Sequence, residues 1–306
     1  MDEKPSTQSE SVHSSLAMDL APTVGPHEMR RFLRVFLGRP VVIFSAVVIL
    51  LLLVSAAVPQ WIAPFDPNEQ NLRKVLRQPS QEHLLGTDAL GRDLFSRIVF
   101  GARTAVIVGV VSLSIAAAIG MVLGLTAGYM GGIVHAVIMR LVDALMAFPP
   151  MLLALTIAAL LGGGLKNVVI AIGIGLMPGY ARVMCGQATS VRENDYILAV
   201  RSLGGSNWRA MFRHVLPNCF PPMIVLMTIM IGMTILAEAG LSFLGIGITE
   251  PTVAWGSLVN DGYRYLLTNP YLSTAPGVAI IIVVYAFNMV GDGLRDAIDP
   301  RLRGTI

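Results

Sequence analysis

The chain has 306 residues, of which 54% are hydrophobic and only 13% charged. Soluble domains carry about 25% charged residues, so this composition excludes an ordinary soluble domain and points to a bilayer. The net charge of +3, with a pI near 9.0, then reports membrane topology rather than nucleic acid, for which no binding motif is present.

Residues 1–28 are rich in Ser, Pro and acidic side chains without apolar periodicity, which predicts a disordered cytoplasmic tail. No apolar core follows the first charges, so this is not a signal peptide. Arg30, Arg31, Arg34 and Arg39 precede an uncharged stretch, Val41 to Phe65, which reads as an uncleaved N-terminal anchor within 29–63. About 20 apolar residues cross a bilayer as a helix. That length predicts spans at 41–62, 104–128, 138–161, 167–186, 219–243 and 273–292. The fourth is bracketed by Lys166 and Arg182 and interrupted at Pro178–Gly179. An even number of spans puts both termini on one side. The Lys and Arg residues put that side in the cytoplasm, because those left outside sit mostly in the long 64–103 loop, where the positive-inside bias weakens. The predicted core occupies 104–293, and 294–306 forms a second cytoplasmic tail.

Span two carries Ser112, Ala116, Gly120, Gly124 and Gly128 on one helix face. Small residues at this spacing let helix backbones approach closely, and they predict packing in preference to a pore lining. Cys185 and Cys219, in apolar sequence, read as small buried residues, and the five histidines show no metal-ligand spacing.

Residues 190–218, between spans four and five, predict two short helices broken at Gly204–Gly205. Tyr196, Ala199, Val200 and Leu203 form an apolar stripe in the first; Trp208, Met211, Phe212, Val215 and Leu216 form one in the second. Gly204 suits a left-handed C-terminal cap, Ser206 an N-cap, and Pro217 a helix stop. Such a hairpin lies on lipid, packs on its own spans, or enters a groove on a soluble partner, and periodicity leaves the three open.

The segment resembles the loop by which ABC importer permeases dock onto their ATPases, whose pattern is Glu-Ala-Ala, three residues, Gly, nine residues, then Ile-x-Leu-Pro. Aligned on Gly204, Ala199 matches the first alanine, and Leu216 and Pro217 match the end, whereas Leu198, Val200 and His214 depart from it. HLLGTDALGRDLFSRIVFGAR (83–103), MRLVDALMAFPPMLLAL (139–155), LAEAGLSFLGIG (236–247) and FNMVGDGLRDAIDPRL (287–302) extend the likeness to the C-type permease of bacterial dipeptide and oligopeptide importers. The resemblance implies an all-α polytopic protein with six transmembrane helices of the type I ABC importer permease fold. It places ATPase coupling at Ala199, Gly204, Gly205, Leu216 and Pro217. It also implies a homologous B-type permease subunit, two cytoplasmic ATPase subunits and a periplasmic peptide-binding protein, in the inner membrane. Selection of a dipeptide, longer peptide, nickel complex or haem would lie mainly in that binding protein, with dipeptides the first expectation.

The chain has no GxxxxGK[ST] loop, so it cannot hold ATP in a P-loop of its own, and the expectation is no cofactor, no metal and no catalytic group in this chain. The competing reading is an ion-coupled carrier or channel working without ATPases. Three charges fall in predicted spans, where each should face protein or water. Asp143 is expected to pair locally with Arg140, and Asp292 with Arg295. Glu238 is expected either to line the passage or to pair across a subunit interface.

Overall fold

The computed structural model describes residue 36 and residues 38–298; the tail expected over 1–28 and the end of the chain, 299–306, lie outside the described residues. Among the described residues the fold is helical, with one isolated bridge, Thr87 to Asp93, and no strand. Helix α1 is Pro40–Ala57, and a short α2, Pro59–Ile62, follows the break at Val58. Then come α3 (Leu94–Ile107), α4 (Leu113–Met130), α5 (Gly132–Met146), α6 (Pro150–Leu161) and α7 (Leu165–Arg192). The hairpin contributes α8 (Asp195–Ser202) and α9 (Asn207–Arg209), and the chain ends through α10 (Leu216–Phe243), α11 (Trp255–Tyr263) and α12 (Tyr271–Ile298).

Five helices are long and apolar enough to cross a bilayer, and α5 with α6, bent by 85°, makes a sixth when the pair counts as one span. The bend has a local cause. Pro149 and Pro150 interrupt the helix, because a residue before proline is driven out of the helical region, and Pro149 itself sits at ψ 132°.

Three boundaries differ from those predicted. The second span begins at Leu94 rather than 104 and runs unbroken to Met130 through a π turn at Val108–Ser112. Arg97 and Arg103 shorten it in the sequence, but Asp93 caps it (Oδ2 accepts from the Ser96 amide at 2.7 Å) and Arg97 is buried against carboxylates. The fourth span carries Pro178 in its interior and extends to Arg192. Pro217 does not stop a helix. Residues Asn207–Phe243 form one continuous helix, which opens into a π turn at Ala210–Val215 just before the proline. A wider turn accommodates a ring that lacks an N–H and crowds the carbonyl four residues back.

The glycine stripe of α4 lies against α7. A Cβ on Gly120 would stand 2.6 Å from the Tyr180 Cβ and 2.7 Å from the Met177 carbonyl, and one on Gly128 2.8 Å from the Ala188 Cβ. The stripe therefore packs backbone against backbone within this chain. Around it cluster buried Ala116, Leu125, Met184, Ala188, Met211 and Cys219. Similar close contact joins α10 to α12, where a Gly232 Cβ would meet the Val284 carbonyl at 3.1 Å.

The connections form two opposite faces. On one, residues 63–93 fold as an irregular cap held by Asn71 N to Leu90 O (3.2 Å), Leu76 N to Asp88 O (3.1 Å) and Thr87 N to Arg77 O (3.1 Å). Loop 244–254 and α11 complete this cap face. The 193–206 hairpin occupies the other.

Candidate coupling site and membrane passage

Helix α8 closes with a Schellman turn: the Gly205 amide donates to the Val200 carbonyl at 3.0 Å while Gly204 takes φ +78°. Gly205 is needed for closeness as well, since a Cβ there would lie 2.7 Å from that carbonyl. Ser206 Oγ then accepts from the Arg209 amide at 3.3 Å and starts the next helix. The second predicted stripe splits: Met211 and Val215 are buried, whereas Trp208 and Phe212 are exposed. In the first, Tyr196, Ala199 and Leu203 are exposed and Val200 is half-buried, while Ile197, outside the stripe, is buried. Trp208, 70% exposed, stacks on Phe212 with ring centroids 5.3 Å apart. Of the residues expected to couple, Ala199, Gly204 and Pro217 are exposed, and Gly205 and Leu216 half-buried. The hairpin therefore presents aromatic surface outward beside exposed Arg201, Arg209 and Arg213.

The cap face holds a charge network that the sequence did not reveal as a unit. Asp88 Oδ2 accepts from Arg92 Nε at 2.7 Å and from an Arg97 guanidinium nitrogen, and Glu250 Oε1 accepts from Arg92 and, at 3.3 Å, from Arg97 Nη2. Arg97 is only 2% exposed. The network ties residues 83–97 to loop 244–254 around a cavity of ≈ 300 Å³ that Asp261 also lines. Burial opposes ionisation of Asp88, but hydrogen bonds from the Arg92 amide and guanidinium, with Arg97 nearby, hold its carboxyl below the usual range. Glu250 is held down in the same way, against a smaller burial, by Arg92 and Arg97. Burial pushes Asp261 up, partly offset by the same two arginines.

Inside the spans, the structure corrects each expected partner. Asp143 bonds Arg182 of α7 and not Arg140, because α5 turns it toward α7. Asp292 is exposed and makes no ion pair among the described residues; Asp296, one turn on, takes Arg39 at 2.6 Å. Glu238 is enclosed within its own chain. It is 1% exposed, and Ser242 Oγ donates to it at 2.6 Å while accepting from the Ile248 amide at 3.0 Å. The carboxyl thereby fastens the turn after α10 inside its own chain.

Where α5, α6, α7 and α10 meet, a second cavity of ≈ 330 Å³ opens, lined among others by Met146, Phe148, Pro178, Gly179, Tyr180 and Met230. Its wall is apolar, and nothing in the periodicity announced it. The Pro149–Pro150 bend lies at its edge, and Pro178 and Gly179, within the continuous α7, line it.

These features define a polytopic helical membrane subunit with an ABC importer permease fold. Structurally the chain is similar to a chain of the inward-facing MetNI methionine ABC transporter, with a TM-score of 0.52 at 19% identity, covering 66% of this chain and 97% of that one. The chain belongs to the family of binding-protein-dependent transport system inner membrane components, whose model matches residues 120–304, and the N-terminal TM domain of oligopeptide transport permease C matches residues 28–79. It is 40% identical over 275 residues to the glutathione transport system permease protein GsiD of Pectobacterium atrosepticum, covering 90% of this chain and 91% of that protein. It is 40% identical over 267 residues to the probable D,D-dipeptide transport system permease protein DdpC of Escherichia coli, covering 87% and 90%. The protein is thus a multi-pass inner membrane permease of an ABC transport system.

Proposed function

We propose that this chain is one of two homologous permease subunits through which di- or oligopeptides enter the cytoplasm, driven by two separate ATPase subunits and supplied by a periplasmic peptide-binding protein. In this reading both termini and the hairpin face are cytoplasmic, the cap face is periplasmic, and ATP binds only to the partners. The relatives named for glutathione and D,D-dipeptide transport support a short peptide as cargo. The observation that carries the coupling role is the Trp208–Phe212 stack standing exposed on the hairpin. Exposed aromatic clusters with arginines beside them have the composition of binding hot spots. ATP-driven closure of the ATPase pair would push this hairpin, and the continuous helix from Asn207 to Phe243 would carry the displacement across the membrane, rocking the spans between outward-open and inward-open forms.

Trp208→Ser with Phe212→Ser tests the reading. Each buried aromatic anchor contributes about 2 kcal/mol or more, so retention of the ATPase subunits on a tagged permease should fall by well over tenfold while the partner permease stays bound. Full retention of the ATPases would contradict it.

A further inference from the structure

Arg103 stands at the cap end of α1, where its Nε donates to the Ala56 carbonyl at 2.8 Å and its Nη2 to the Ala57 carbonyl at 3.0 Å. A cation suits the free carbonyls of a helix C-terminus. Nη1 bonds nothing among the described residues, however, no carboxylate pairs with the guanidinium there, and the residue is exposed. At about 1.5 Å per residue α1 is about 27 Å long, close to the depth of an apolar layer about 30 Å thick. Its last carbonyls, and Arg103 with them, therefore lie at the boundary of that layer on the cap side. Trp61, 85% exposed just past the break at Val58, suits the same boundary.

From this charge a groove of ≈ 200 Å³ runs between α1, α3 and α12, lined among others by Leu51, Ser55, Ala102, Ala279 and Ile282. Ser55 precedes the two carbonyls that hold Arg103, and Ala102 precedes Arg103 itself, so the guanidinium stands at the end of the groove. Leu51 and Ile282 are exposed, and the groove opens on the outside of the bundle. Helix α1 is also the least buried of the five long helices. Close association with another helix favours small residues, whereas Leu50, Leu51, Ile281 and Ile282 stand exposed around this mouth. Acyl chains suit such a wall, and an anion suits the cation at its end.

We propose that this groove holds an anionic phospholipid from the leaflet on the cap side. One acyl chain lies between α1, α3 and α12, and the phosphate accepts from the free Nη1 of Arg103. The α1 wall from Val48 to Ser55 is roughly 10 Å long, so the chain is gripped from the boundary toward the bilayer centre. The lipid fills the gap beside a span with little packing of its own and fastens α1 to the bundle. The site is independent of the cargo and of the energy source.

The test uses the whole complex, purified with its native partners and washed in micelles that hold equal amounts of dioleoyl phosphatidylglycerol and dioleoyl phosphatidylcholine. Mass spectrometry then counts the lipids that stay bound. Wild type should retain phosphatidylglycerol in excess over phosphatidylcholine. Arg103→Gln keeps donors for the α1 carbonyls and should lower that excess about fivefold, the weight of one basic side chain toward an anionic headgroup. Ser55→Leu and Ala279→Leu fill the groove from opposite walls, and each should abolish the excess with Arg103 still in place. Equal retention of the two lipids by wild type would overturn the proposal. An excess unchanged in Arg103→Gln would give the headgroup to another cation, and one unchanged in both filling variants would leave the groove without a chain; either result also overturns it. Loss of the partner permease from the filling variants would assign the groove to a partner helix instead of lipid.

Discussion

Arg97→Met should detach the cap face and remove most of the properly folded protein from the membrane. The guanidinium is nearly inaccessible and bonds Asp88, itself buried, together with Glu250. Deleting it leaves Asp88 with Arg92 as its cation partner among the described residues, and removing one member of a buried pair typically costs about 3–5 kcal/mol. Glu250, 55% exposed at its side chain, adds little to that sum because solvent screens it. Arg97→Lys keeps the charge but loses the planar fork that reaches two carboxylates, so it should fall between the two. Melting of detergent-solubilised protein, followed by protease sensitivity of 63–93, reads the effect, and a melting temperature unchanged in Arg97→Met would show that the network is ornamental.

The same network should make the cap sensitive to acid. Asp88 and Glu250 are held below their ordinary values of 3.8 and 4.5, so their contribution is complete above those values and is lost as pH falls through the lowered ones. Asp261, raised above 3.8, has the opposite sign: its contribution is present below that value and fades as pH climbs through the raised one. Asp88 is the buried one of the three and bonds both arginines, so protection of 63–93 should decline below about pH 4.

Gly124→Leu should be at least as damaging, for a reason that involves no charge. A Cβ there would clash with the Ala181 carbonyl oxygen and stand 2.8 Å from the Met184 Cβ and 2.9 Å from the Cys185 amide. Two of these three are backbone atoms of α7, which no rotamer can move aside. Overpacking usually costs about 1–3 kcal/mol, and a backbone clash repeated along a helix pair exceeds that range. We expect no assembled complex from Gly124→Leu and near wild-type amounts from Val122→Leu on the exposed side of α4, as judged by size-exclusion profiles. A normal profile for Gly124→Leu would refute the close packing of α4 on α7.

What the sequence disclosed follows from which forces are local. Apolar length located the spans, and the four-residue spacing of Gly120, Gly124 and Gly128 located a face of close helix contact, because both are legible along one helix. Boundaries failed where a charge is neutralised by a residue distant in sequence or in an adjoining loop. Arg97 looked like the outside of a span until Asp88 and Glu250 enclosed it. Asp143 was assigned to Arg140, three residues away, whereas its partner is on another helix. Pro217 looked like a stop because a π turn is invisible to propensity. Glu238 has no arginine near it in sequence, and Ser242, one turn further on, is the local partner that the structure shows. The hairpin was found by its glycines and capping serine, but its stripes left open what covers them, since an apolar face intended for a partner has the same pattern as one that is buried.

The central claim is that ATP, not an ion gradient, drives this permease. Proteoliposomes containing the chain with its native permease and ATPase partners, supplied with binding protein and a labelled dipeptide, test it most directly. Uptake should require ATP on the hairpin face and binding protein on the cap face, and should persist when ionophores collapse every ion gradient. Uptake by the chain alone, powered by an ion gradient and indifferent to ATP, would contradict the account.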